Sequence, residues 1–158
     1  MPKITPFLWF DDNAEEAMEF YTAVFPNSSI GEIHRFGPEV PGPEGKALYA
    51  TMTLDGTDVM VLNGGPYFSF TEAISLYVDC QDQAEVDYYW DALTADGGEP
   101  SQCGWLKDKF GLSWQIVPKA LEELSTDPNP AKSAAVTQAM LQMTKIDVAQ
   151  LQEAYDQA

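Results

Sequence analysis

The chain has 158 residues, 45% hydrophobic and 12% aromatic, and its 25 acidic against 8 basic side chains give a formal charge of −17. That length suits one domain with a continuous core. A field of this sign repels phosphate backbones and anionic lipid, so nucleic acid and membrane surfaces are excluded as partners.

No apolar run reaches the roughly 18 residues needed to span a bilayer. The opening MPKITPFLWF lacks the small-residue cleavage site of a signal peptide and reads as the first strand of a cytoplasmic protein. The acids are spread along the predicted helices and loops, which describes a solvated surface rather than a docking patch. Cys80 and Cys103 are far apart and not in C-x-x-C spacing, which favours reduced thiols.

Ile4 to Phe10 is apolar and β-prone. Asp12-Asn13-Ala14-Glu15 then opens a helix in a D-x-x-E capping pattern, with Ala14, Ala17, Met18, Tyr21 and Phe25 at helical spacing before Pro26-Asn27. Ser29 to Phe36 predicts a strand, and Gly37 to Gly45, with three prolines and three glycines, a loop. Leu48 to Leu54 alternates, Asp55-Gly56 turns, and Val59 to Asn63 pairs back before Gly64-Gly65-Pro66.

The same order restarts at Ala73 to Val78, a strand followed by a second cap at Asp82 to Glu85 and a helix to about Ala95, ended by Gly97-Gly98. Glu99 to Gly104, Trp105 to Lys109 and Ser113 to Val117 complete three strands. Asp108 to Gly111 is the turn before the last of them, where Gly111 supplies the positive φ, and Pro118 ends it. The chain therefore reads as α+β, a tandem βαβββ repeat over residues 1–118 with units at about 3–66 and 70–118. Residues 119–158 form a helical extension of two short helices. Val136, Met140 and Met143 make its packing stripe, and Asp147 caps the segment that carries Leu151 and Tyr155.

CGWLKDKFGLSWQIVP (Cys103 to Pro118), LNGGP (Leu62 to Pro66), EAISLYVDC (Glu72 to Cys80) with DQAEVDYYW after it, and the tail AMLQMTKIDVAQLQEA carry a resemblance. The chain resembles the vicinal oxygen chelate superfamily, which includes glyoxalase I, extradiol dioxygenases and bleomycin-resistance proteins. It is most similar to the PhnB-like branch, labelled 3-demethylubiquinone-9 3-methyltransferase-like. The resemblance implies a curved eight-stranded mixed sheet around a cleft, commonly completed in a homodimer.

Metal-using members of that superfamily carry ligands on the first and last strands of each unit, positions that fall here on Pro6, Val59, Ala73 and Gln115. Three of these have no donor atom, and one amide cannot hold a catalytic divalent ion, so no metal and no other cofactor is expected. The single histidine, His34, reads as an edge residue. The methyltransferase label implies S-adenosylmethionine, yet neither Phe10 to Ala14 nor Asp79 to Ala84 contains the glycine of a nucleotide-binding turn.

With the ligand positions taken as the cleft face, alternation assigns Leu8, Phe10, Val61, Asn63, Ser75, Tyr77, Ser113 and Gln115 to the cavity. Tyr49, Thr51, Cys103 and Trp105 join them, while Phe7, Trp9, Leu62, Leu76, Trp114 and Ile116 form core against the helices. Asn63 has two readings, turn partner or ligand contact, and Gln115 either pairs with Tyr77 or Ser75 or meets a ligand. Cys103 reads as an inert thiol, and Lys107, Asp108 and Lys109 as a solvated charged hairpin. An apolar pocket with a few amides and hydroxyls suits a small organic ligand. The alternatives are a metal-free lyase or isomerase using Tyr77, Cys103 or Gln115 for proton handling, or the methyltransferase activity of the family label.

Overall fold

The predicted period-two runs form strands and the second predicted cap opens its helix in a computed structural model, which describes residues 2–158. The chain divides into two units, one ending at Phe70 and one spanning Thr71–Ala158. In the first, β1 (Phe7–Phe10), α1 (Ala14–Val24), β2 (Ser29–Arg35), β3 (Ala47–Leu54) and β4 (Thr57–Asn63) follow in order. They form a four-stranded sheet β1-β4-β3-β2, in which only β1 and β4 run parallel.

The second unit repeats the arrangement. Its elements are β5 (Ser75–Cys80), α2 (Gln83–Thr94), β6 (Glu99–Pro100), β7 (Trp105–Lys107) and β8 (Ser113–Pro118). They are ordered β5-β8-β7-β6, with β5 parallel to β8. The expected duplication is therefore present. The eight strands do not join as one hydrogen-bonded sheet but as two sheets of four, one per unit.

The two helices begin differently. Asp82 caps α2 as its D-x-x-E pattern predicts: its carboxylate accepts from the Glu85 amide at 3.0 Å, and Glu85 Oε1 accepts from the Gln81 amide at 3.3 Å. At α1 the expectation fails. The cap position is Asn13, whose side chain makes no capping bond, and Glu15 turns instead to Arg35 in two bonds of 3.0 Å. The free amide of Ala14 donates to Asn63 Oδ1 at 2.8 Å, and Asn63 Nδ2 is fixed by donating to the Ala47 carbonyl at 2.9 Å. A fixed acceptor on a neighbouring strand has taken over the work of a local cap.

The rest of LNGGP serves Trp9. A Cβ on Gly64 would sit 2.3 Å from the indole ring, so only glycine lets the ring lie there, and the indole N–H donates to the Gly65 carbonyl at 3.0 Å. Asn63→Ala is expected to cost about 1–3 kcal/mol of unfolding free energy, the cost of orphaning buried backbone groups. Chemical denaturation measures it.

Three helices follow β8 rather than two: α3 (Lys119–Ser125), α4 (Pro130–Leu141) and α5 (Val148–Gln157). Pro118 ends the strand yet also occupies the cap position of α3, where its missing N–H costs the helix nothing. Val117, Leu121, Val136, Met143, Ile146 and Leu151 form one buried cluster, so the predicted stripe is packing. The amides of Cys103 and Gly104 each donate at 2.8 Å, to the Met143 and Thr144 carbonyls. Gln83 bonds both the Ile146 carbonyl and the Val148 amide. Asp147 caps α5 through the Gln150 amide.

Candidate functional site

Each sheet has one face under its helix and one face that its helix does not cover. In the second unit Leu106, Trp114 and Ile116 are buried, as are Val86, Trp90 and Leu93 of α2. Alternation then places Ser75, Tyr77, Ser113, Gln115 and Trp105 on the other face. Register makes two rows there: Glu99, Lys107, Ser113 and Ser75 are consecutive cross-strand partners, and so are Trp105, Gln115 and Tyr77. Val117, of the same parity as Ser113 and Gln115, packs with the tail helices.

In the first unit the expected face assignment is reversed. Leu8, Phe10, Val61 and Asn63 are buried with Ala14, Ala17, Met18 and Tyr21 of α1, whereas Phe7 is 48% exposed and pairs in register with Met60. Tyr49 and Thr51, cross-strand partners of Leu62 and Met60, do lie on the uncovered face. Phe7, Trp9 and Leu62, expected as core, share that face with them. Phe7, Tyr49, Met60 and Leu62 border a shallow apolar depression of about 330 Å³. His34 sits on the edge strand β2, stacked on Tyr49 at 4.4 Å between ring centroids.

The polar residues of the second unit have defined partners. Gln115 Nε2 donates to Ser75 Oγ at 2.9 Å. Tyr77 donates its hydroxyl to Glu122 Oε1 at 2.6 Å. Partial burial first, and then that bond, push the phenol above its ordinary value, which favours its protonated form. Burial likewise pushes the Cys80 thiol up to about 12, which removes it as a nucleophile. Cys103 is held in a turn at φ 58°, its backbone bonded to the tail.

Asp108 was expected to be solvated and is instead 2% exposed. Its Oδ1 accepts from the Phe110 and Leu112 amides at 2.8 and 3.1 Å, and its Oδ2 accepts from the Trp114 indole at 2.8 Å. With Gly111 at φ 87°, Asp108 builds the turn that delivers β8. Lys107, next in sequence, points to the other face and forms an ion pair with Glu72. That bond lowers the Glu72 pKa and raises that of Lys107. Glu72, Glu99, Trp105, Lys107 and Ser113 line a cavity of about 170 Å³.

Residues 2–117 match the sequence profile of the family described as 3-demethylubiquinone-9 3-methyltransferase. The chain belongs to this family. It is thereby a PhnB-like member of the vicinal oxygen chelate superfamily, with α3, α4 and α5 lying beyond the matched segment. A PhnB protein from Bacillus cereus is 40% identical over 74% of this chain and 99% of its own, with a TM-score of 0.69. Two others share the fold at lower identity. Protein PA1353 from Pseudomonas aeruginosa is 22% identical over 72% of this chain and 95% of its own, TM-score 0.59. The fosfomycin resistance protein FosX from Listeria monocytogenes, complexed with Mn(II) and sulfate, is 14% identical over 72% and 89%, TM-score 0.52. The sequence matches no curated protein.

The two groups that these relationships bring to mind meet an unsuitable set of residues. Among the described residues no three His, Cys, Asp or Glu side chains cluster as a metal would need. For S-adenosylmethionine, the strand-to-helix turns lack glycine, and the Ala14 amide that opens α1 and the Glu85 amide in the first turn of α2 are already taken by Asn63 and Asp82. No helix of the described residues is long and apolar enough to cross a membrane.

Proposed function

We propose that this PhnB-like protein binds a small organic ligand on its uncovered sheet faces, without a divalent ion and without methyl transfer, as a cytoplasmic homodimer. The observation that carries the reading is the double row on the second sheet. Hydroxyls, an amide, an indole and a lysine are set in register on the face that α2 does not cover. A few fixed polar groups beside aromatic surface orient a ligand.

Proton-transfer chemistry finds little support in the same residues. Tyr77 is committed to Glu122 as a donor, and Gln115 to Ser75. Shifting the metal positions of the first unit to its uncovered face lands on Phe7 and Met60, which offer neither carboxylate nor imidazole.

The test joins elemental analysis with a thermal-shift screen of unreactive aromatic compounds. The expected result is no stoichiometric zinc, nickel or manganese, together with stabilisation by part of the screen. Ligand at about 100 times its Kd adds roughly 2.7 kcal/mol, and each such kcal/mol moves Tm by about 2–4 °C in a chain of this size. One tightly held metal ion per chain, or turnover of a methyl donor, contradicts the reading.

A further inference from the structure

Ser113 is 1% exposed, and its hydroxyl has no hydrogen-bond partner in the protein. It is the side chain among the described residues of which this is true, and it lines the cavity of the second unit. A buried hydroxyl left without a partner is destabilising, and native proteins rarely keep one unless something else completes it. Ser113 gains nothing for the fold that alanine would not supply. β8 is otherwise well satisfied: the Ile116 amide reaches Gly104, Gln115 reaches Ser75 and Trp114 reaches Asp108.

The charges around the hydroxyl select what it receives. Two carboxylates, Glu72 and Glu99, and one ammonium, Lys107, line the cavity. Lys107 is taken by Glu72, and Glu99 is near enough to raise the Lys107 pKa but forms no ion pair with it. One negative charge is therefore left uncompensated, on a chain whose net charge is −17. An anionic group would enter against both. Trp105 supplies an aromatic wall on which an apolar body can rest and a cation is attracted. The cavity, at about 170 Å³, is smaller than the roughly 300–1,000 Å³ of sites that enclose drug-sized ligands, and fits a head group with a single ring or short chain.

We infer that the cavity bordered by Ser113, Glu99 and Trp105 is a subsite for a small organic ammonium ion, which donates to the Ser113 hydroxyl, is neutralised by Glu99 and lays its apolar body on Trp105. This rests on the ligand-binding reading above and names the class of ligand.

Calorimetric titration of the full chain with phenethylamine, phenethyl alcohol and hydrocinnamate, three probes of similar size and different charge, tests it. Phenethylamine is expected to bind tightest, by about tenfold over the alcohol, as one close charge pair at a half-exposed site gives. Glu99→Gln abolishes that preference. Ser113→Ala weakens amine and alcohol alike while its Tm stays level or rises, because the hydroxyl it removes bonds nothing in the fold. Equal binding of the three probes, tightest binding of hydrocinnamate, or variants that bind as the parent does, each overturns the subsite and leaves the broader reading standing. No binding of any probe also overturns it. The broader reading falls with it only when the aromatic thermal-shift screen is blank as well.

Discussion

Trp114→Ala is expected to lower the unfolding free energy by about 3–5 kcal/mol, the range for truncating a large buried aromatic, while Gln115→Ala lowers it by less than about 1 kcal/mol. The two residues are neighbours on β8, and alternation sends them to opposite faces. Trp114 is 2% exposed, on the face that α2 covers, and its indole bonds Asp108. Gln115 loses only its bond to Ser75, and its removal changes ligand selectivity instead. Urea denaturation of both variants reads the contrast directly. Equal losses would remove the distinction between a face that holds the fold and a face that is free to bind.

Asp108→Ala is the second large effect, expected at about 3 kcal/mol, because it strands the Phe110 and Leu112 amides and the Trp114 indole N–H together and each buried orphan costs about 1–3 kcal/mol less whatever water recovers. Asp108→Asn retains one carbonyl oxygen but aims an amide N–H at a group that is itself a donor, so an intermediate loss of about 1–2 kcal/mol is expected. A double-mutant cycle with Trp114→Phe isolates the indole bond. Near-zero coupling there would show that Asp108 acts through the turn amides alone.

The sequence made the duplication legible, because strand, cap and helix recur in the same order from Phe7 and from Ser75. It also made the second unit's faces legible. In SLYVDC and SWQIVP, hydroxyl, phenol and amide alternate with Leu, Val, Trp and Ile, so parity can be read off. FLWF offers no such contrast: Phe7, Leu8, Trp9 and Phe10 are all apolar, and only α1 decides that Leu8 and Phe10 go under while Phe7 and Trp9 stay out. Two further features were invisible for a different reason. Asp108 stands between two lysines and looks solvated until β8 brings the Trp114 indole to it, and Asn63 looks like a turn residue until Ala14 is found across the unit needing an acceptor. Both depend on partners that no local pattern names. The α3 helix was hidden because Pro118 signals an ending with equal force whether a loop or a helix comes next.

One measurement bears most directly on the central claim, that the uncovered face of the second sheet receives a small molecule. It is an amide and indole chemical-shift titration of the isotopically labelled protein with phenethylamine. The account predicts saturable shifts centred on Trp105, Ser113 and Gln115, with the Trp114 indole resonance still protected behind the sheet. Shifts confined to residues of the helix-covered faces, or to the tail helices, would contradict it.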